Sequence, residues 1–283
     1  MQVKANAKLN LTLDILGTRA DGYHELRMVM QSVTLHDLLT VEIGTGEGLR
    51  LSTNRSFLPS DQRNLAAAAA LCFSEETGID LGGVSIRIQK EIPVCAGLAG
   101  GSSDAAAVLR ALNVLTGAEL SPERLARIGQ QVGSDVPYCV HGGTALAEGR
   151  GEMLTPLAPL PFCWIVLCKP GFPIATPELF RRADGVRLRR RPDTAGLIAA
   201  LEAGDLEGAA RRLYNVFEDV LPPRKAAEIA AIKSALLGHG ALGASMSGSG
   251  PTVFGVFRSE EAARRAWEDL AGVYRETFLT QSV

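Results

Sequence analysis

The sequence predicts an α/β fold in two lobes, residues 1–155 and 156–283, and three observations predict it. Segments with period-two alternation, the mark of half-buried strands, are interleaved with alanine- and leucine-rich stretches of helical length. A glycine-rich loop joins one such strand to one such helix. Pro156, Pro159 and Pro161 fall close together between two patterned regions, which makes a domain boundary there. A chain of 283 residues can bury one large core or two modest ones.

The first strand is expected over residues 7–15, where Ala7, Leu9, Leu11, Leu13 and Ile15 alternate with Lys8, Asn10, Thr12 and Asp14. Alternation puts Lys8 and Asn10 side by side on one face, suited either to solvent or to a ligand. An Asp-Gly turn follows and delivers Tyr23 and His24 just before an apolar run over residues 26–35. An aromatic ring followed by an imidazole can stack on a flat base and hydrogen-bond its edge; anchoring the loop is an equal alternative. Residues 38–43 and 49–52 read as strands around the turn at 44–48. Asn64 is expected to cap an alanine-rich helix ending near Gly78.

Val84, Ile86 and Ile88 alternate with Ser85, Arg87 and Gln89, and residues 105–115 are strongly helix-forming. Between them runs Pro93, Val94, Cys95, Ala96, Gly97, Leu98, Ala99, Gly100, Gly101, Ser102, Ser103, Asp104. Gly97, Gly100 and Gly101 free the backbone to approach a ligand, and Ser102, Ser103 and Asp104 supply N-cap chemistry. A helix start of this kind holds an anion, most often a phosphate. The loop has neither the lysine of the Gly-x-x-x-x-Gly-Lys-Ser/Thr motif nor the Gly-x-Gly-x-x-Gly spacing.

Ser121-Pro122 opens a further helix, to about Gln131. In Gly-Ser-Asp-Val-Pro at residues 133–137, Asp135 is expected in a tight loop that Pro137 keeps from becoming helix. A carboxylate held that way can orient or deprotonate a hydroxyl, ligate magnesium, or simply close an Asx turn. Residues 144–152 suggest a hairpin, 162–168 a buried strand, and Thr176-Pro177 a short helix carrying Phe180. Amphipathic helices follow at about 194–213 and 224–237. Residues 243–251, rich in serine and glycine, form a second loop of backbone donors before a strand at 252–257. A helix from about Glu260 and a strand near 274–279 finish the chain.

Arginines at 181, 182, 187, 189, 190 and 191 make a basic strip, expected as a solvated, mobile connector because the chain carries net charge −2. That charge, with a pI near 6.1, argues against broad nucleic-acid binding. Five cysteines, an odd number without a Cys-x-x-Cys pair, read as thiols in a reducing compartment. The N-terminal residues have no apolar signal core, and the longest apolar run, 65–73, is too short for a bilayer. The expectation is a cytoplasmic protein with no membrane and no nucleic-acid partner.

The Pro-x-x-x-Gly-Leu-Ala-Gly-Gly-Ser-Ser-Asp-Ala-Ala segment, together with Met246-Ser-Gly-Ser-Gly250, resembles the phosphate loop and C-terminal motif of the GHMP kinases. Ala-Lys-Leu-Asn-Leu at 7–11, Arg-Ala-Asp-Gly-Tyr-His at 19–24 and the 133–137 segment extend the resemblance essentially end to end. It implies α+β two-layer lobes with ATP and substrate in a cleft between them, and Mg²⁺ as cofactor. It also implies transfer of the ATP γ-phosphoryl group to the 2-hydroxyl of a methylerythritol unit linked to cytidine by a diphosphate. On matching positions Lys8 and Asp135 would be the catalytic pair. Asn10 and Thr176, with Gly248, Ser249 and Gly250, would hold the acceptor, Tyr23, His24 and Phe180 its cytosine, and the 93–103 loop the ATP phosphates. Asn64 and Lys90 would lie on the adenine side. Cys95, Ala96 and Ala99 stand where some members carry glycines. The competing readings are a GHMP kinase for homoserine or mevalonate, and a silent nucleotide-binding module of the same fold.

Overall fold

The fold was analysed in a computed structural model that describes residues 1–46 and 48–283. Of the expected turn at 44–48, Glu47 lies outside the described residues. In chain order the elements are β1 (Gln2–Thr18), β2 (His24–Gly44), β3 (Gly48–Thr53), α1 (Leu65–Thr77), β4 (Gly83–Gln89), α2 (Gly100–Thr116), α3 (Pro122–Val132) and α4 (Val136–His141). There follow β5 (Thr144–Gly149), β6 (Met153–Pro156), β7 (Trp164–Lys169), α5 (Thr176–Asp184), α6 (Thr194–Glu202), α7 (Leu206–Ala210), β8 (Tyr214–Asn215), a 3₁₀ turn (Val216–Val220), α8 (Pro223–Gly238), β9 (Gly243–Met246), β10 (Val253–Phe257), α9 (Glu260–Ala271) and β11 (Glu276–Gln281).

Two compact units interleave along the chain. One comprises residues 1–7, 35–94 and 99–142, the other 8–34, 95–98 and 143–283. The proline-rich stretch at 156–161 therefore lies inside the second unit. The long strands β1 and β2 each contribute residues to both units.

In the first unit β3 pairs in parallel with β4, and β4 pairs antiparallel with β2, Leu39 facing Ile88 and Val41 facing Ile86. β2 and β3 are thus not partners across their turn; β4 lies between them. Val84, Ile86 and Ile88 turn inward as the alternation requires, against Ala66, Ala67, Ala70 and Phe73 of α1 and Ala105, Val108, Leu109 and Leu112 of α2. Small residues on both helices let their backbones approach closely. Asn64 caps α1, its Oδ1 accepting from Ala66 N at 3.1 Å, and Gly78 ends the helix in left-handed conformation. Ser121 caps α3 in the same manner.

In the second unit β5 pairs antiparallel with β2, Met28 facing Ala147, and β6 completes the hairpin. β8 adds to β1 in parallel, Thr12 beside Tyr214. A separate four-stranded antiparallel sheet runs β11-β7-β10-β9. Ile165, Leu167, Phe254 and Val256 are buried in it, with Ile229, Ile232 and Leu236 of α8 and Ala263, Ala266 and Leu270 of α9. The helical stretch expected at 194–213 is two helices broken at Gly204, whose φ is +65°. The expected 243–251 loop begins as strand β9, which needs β10 opposite it to exist at all.

Candidate active site

Lys8 and Asn10 share a face of β1 as the alternation predicts, but that face is not solvated. Lys8 is 4 % exposed and Asn10 is fully buried, as is Thr12. The Lys8 ammonium donates to Asn10 Oδ1 at 2.6 Å, and Asn10 Nδ2 points to Met28 Sδ at 3.3 Å. An amide carbonyl against the ammonium fixes the lysine rotamer without neutralising its charge. The backbone of Lys8 donates to Leu98 O at 3.1 Å, which ties this strand to the phosphate loop.

The loop itself departs from expectation in two ways. Helix α2 starts at Gly100 with Ala99 as N-cap, and no side chain caps it. Ser102, Ser103 and Asp104 are within its first turns and not at the cap position; the Ser103 hydroxyl donates to Asn6 O at 2.6 Å. The uncapped N–H groups keep their capacity for an anion. Left-handed backbone falls on Cys95 (φ 52°), Gly97 (φ 77°) and Ala99 (φ 55°), while Gly100 and Gly101 are helical. So Cys95 and Ala99, at family glycine positions, take a conformation that suits glycine and costs an L-residue about 1 kcal/mol or more each. Gly97 needs its missing Cβ for space as well, since one would sit 2.1 Å from Ser247 O.

That close approach is made by Ser247, a residue sequence reasoning left unassigned inside the motif it quoted. Ser247 is fully buried; its hydroxyl donates to Gly97 O at 2.9 Å and accepts from Asn10 N at 3.2 Å. Asn215, also unforeseen, donates to Met246 O and Gly248 O, both at 2.8 Å, and so holds the second glycine loop. Gly248 lies against Asn10 and Gly97, and Gly250 precedes a cis peptide bond to Pro251. The Ser249 hydroxyl bonds the Thr176 hydroxyl at 2.7 Å.

A second cluster gathers around His24. Its ring stacks on Phe180, centroids 4.2 Å apart and planes 17° apart, and Phe180 meets Phe217 edge-on. His24 Nε2 is 2.8 Å from Asp184 Oδ1. Phe180 and Asp184 are one turn apart on α5, so this helix grips the imidazole by its face and its edge. Tyr23, 56 % exposed, has the Arg150 guanidinium 4.8 Å from its ring centroid. The arginine strip is not a free connector: Arg191 bonds Asp14 and Ile15 O, and Arg190 lies over the Tyr214 ring.

In the first unit Asp135 is the N-cap residue of α4, and Pro137 stands in the helix's first turn. The proline opens a helix where it was expected to stop one, because the first turn needs no proline N–H. Two residues earlier, Gly133 faces the Ser102 hydroxyl, so the Asp135 loop lies beside the start of α2. Asn64 uses its amide on Ala66 N and Pro59 O. Lys90 is 4 % exposed with its ammonium on the carboxylates of Asp37 and Asp104.

Comparison with known proteins decides the family. The description "GHMP kinases N terminal domain" matches residues 64–143 and "GHMP kinases C terminal" residues 197–276. The chain belongs to the GHMP kinases. A 4-diphosphocytidyl-2-C-methyl-D-erythritol kinase of Alkaliphilus metalliredigens is 45% identical over 282 residues, covering 100% of this chain and 96% of the relative. A crystal structure of a 4-(cytidine 5'-diphospho)-2C-methyl-D-erythritol kinase matches with TM-score 0.84 and 35% identity, covering 100% of this chain and 99% of the other. The structure of homoserine kinase from Cytophaga hutchinsonii matches with TM-score 0.75 at 21% identity, over 100% of this chain and 94% of that one, which is a likeness of fold. As a GHMP kinase the chain carries the small-molecule phosphotransfer fold, and its fold class stands as the sequence predicted.

Proposed function

We propose that this chain transfers the γ-phosphoryl group of ATP to the 2-hydroxyl of 4-diphosphocytidyl-2-C-methyl-D-erythritol, a step in non-mevalonate isoprenoid precursor biosynthesis. The observation that carries the reading is the end-to-end likeness, at 45% identity, to a curated kinase of that name. The aromatic clamp on His24 supports it, because a homoserine or mevalonate acceptor has no base to stack there.

In the reaction the bond from the γ-phosphorus to the β-bridging oxygen breaks, a bond to the acceptor oxygen forms, and ADP leaves. The transition state is loose, so the protein positions groups and stabilises charge. The backbone N–H groups of residues 97–103 receive the phosphates; Lys8, steadied by Asn10, holds the acceptor oxygen; Asp135 orients the hydroxyl and takes its proton late, since a carboxylate is a weak base for an alcohol. Asn10, Thr176 and the loop of Gly248, Ser249 and Gly250 hold the sugar alcohol and diphosphate, and Tyr23, His24 and Phe180 the cytosine. Asn64 and Lys90 flank the adenine side, the Lys90 ammonium itself being held by Asp37 and Asp104.

Among the described residues no group of three or more His, Cys, Asp or Glu could hold a metal. Magnesium would enter with the nucleotide as MgATP. There it would supply charge neutralisation on the transferring phosphates. No described helix is long and apolar enough to cross a membrane, and no disulfide joins the described cysteines. A cytoplasmic location, with ATP and a small-molecule acceptor as the ligands, belongs to the same proposal.

ADP release should be measured with MgATP and the cytidyl acceptor, with homoserine and mevalonate in parallel. Release with the cytidyl acceptor alone is expected. Release with another alcohol would replace the acceptor, and none with any would leave a silent nucleotide-binding module.

A further inference from the structure

We propose that the buried Asp37–Lys90–Asp104 triad is the positioning device of the phosphate loop, holding its two stems together so that the loop is preformed before ATP arrives; this rests on the ATP-binding reading above. Lys90 is the first residue beyond β4, and its ammonium bonds Asp104 Oδ2 at 2.6 Å and the Asp37 carboxylate. The other oxygen of Asp37 accepts Glu91 N at 2.6 Å and Ile92 N at 2.8 Å, the last two residues before Pro93. Asp104 belongs to the opening turns of α2, on the far side of the loop. Gly100, the first residue of that helix, rests on the same group: a Cβ there would be 3.1 Å from Ile92 Cγ2 and 3.3 Å from Lys90 Nζ. One ammonium thus joins the strand that enters the loop to the helix that leaves it.

The loop between these stems is under strain. Cys95 and Ala99 both hold left-handed backbone without being glycine. Strain of that kind persists only where surrounding structure over-determines the conformation. The triad is the part of that surrounding built from charge, and all three members are nine-tenths or more buried: Asp37 0 %, Asp104 3 % and Lys90 4 % exposed.

A buried charge is costly unless it is balanced. Asp37 has two N–H groups besides the ammonium, whereas Asp104 Oδ1 is buried with no hydrogen-bond partner among the described residues. Burial pushes the Asp104 carboxyl up to about 8; Lys90 opposes this and the Asp37 charge adds to it. A proton held on Asp104 would leave one ammonium facing one carboxylate, and no net charge on the triad. That arrangement suits a fixed scaffold better than a group that must leave its place to touch ligand.

Titration calorimetry of MgATP without acceptor reads the loop, and titration with the cytidyl acceptor is the control. Lys90→Met is expected to weaken MgATP about tenfold and the acceptor by less than about twofold, since small displacements of positioned groups are costly. Lys90→Arg, which can serve two carboxylates at once, should recover most of the loss. Should Lys90→Met fail to fold, the combined Asp37→Asn, Lys90→Met and Asp104→Leu substitution leaves no unpaired buried charge and should give the same loss. Unchanged MgATP affinity in a folded variant, or an equal loss for the acceptor, would overturn the proposal. So would failure of the combined variant to fold, since the triad would then hold the fold and not the loop. A wild-type protein that binds MgATP but does not phosphorylate the cytidyl acceptor would sink the functional reading and leave the triad's role standing.

Discussion

Lys8 and Asn10 were legible as neighbours because a strand's side-chain period is two, whatever covers it. Their burial was not legible, since alternation says which residues share a face and nothing of what lies over it. The Asn10 amide carbonyl accepts from the Lys8 ammonium in a nearly closed place, and that bond fixes where the ammonium sits. The proposed roles predict that Lys8→Ala and Asp135→Ala each lower kcat by roughly 10² or more, with ATP affinity nearly unchanged. Unaltered turnover in either variant would remove that residue from the mechanism. Asp184 went unread because it sits amid arginines that looked like a solvated strip, yet it holds the edge of His24. Asp184→Ala should raise KM for the cytidyl acceptor by about tenfold, the scale of one charge-assisted hydrogen bond, and leave KM for ATP as it was. Equal changes in both constants would place Asp184 in general stability and not in base recognition.

At the scale of elements the strand, loop and helix around residues 93–99 were readable from alternation, glycine content and helix propensity together. The distribution of backbone strain was not. Glycines draw attention in a sequence, but two of the three are ordinary helix residues, and two of the three left-handed positions went to Cys95 and Ala99. The contact that demands Gly97 comes from Ser247, 150 residues away, which no local pattern could announce. Gly97→Ala is expected to lose stability by about 2 kcal/mol or more, and MgATP binding with it, because a Cβ 2.1 Å from a carbonyl oxygen forces the two loops apart. A denaturation midpoint equal to wild type would contradict that contact. Asn64→Ala should cost about 1 kcal/mol, the worth of its cap, and Asn64→Ser far less. Pro137 is a lesson in the same physics: proline stops a helix only when it lies past the first turn.

The whole molecule adds a pH dependence that no single element shows. The Asp104 carboxyl is pushed up to about 8, first by burial, then by the Asp37 charge against the opposing effect of Lys90. An unfolded aspartate has a pKa of about 3.9, so between about pH 4 and 8 the native state holds a proton that the unfolded chain has released. Native proton uptake in that window means that this group's contribution to stability falls as pH rises through it, and levels off above. Asp104→Asn, which cannot titrate, should therefore show a flatter decline in denaturation midpoint between pH 5 and pH 8 than wild type. Parallel declines would mean that Asp104 is ionised in the folded protein.

Strand pairing was the other property beyond local reach. Turn signals marked β2 and β3 as strands around one turn without fixing their pairing, and β4, arriving some thirty residues later in the sequence, lies between them. The interleaving of the two compact units has the same origin, since the strands shared between them are continuous and carry no composition break.

The central claim is phosphoryl transfer to one particular hydroxyl, and the phosphorus NMR spectrum of the product reads it most directly. The 2-carbon of the methylerythritol unit bears no hydrogen. A phosphate placed on its oxygen has no vicinal proton to couple to, and the account predicts an unsplit phosphomonoester signal appearing in step with ADP. A new signal split by a neighbouring proton would put the phosphate on another hydroxyl and contradict the proposed acceptor oxygen.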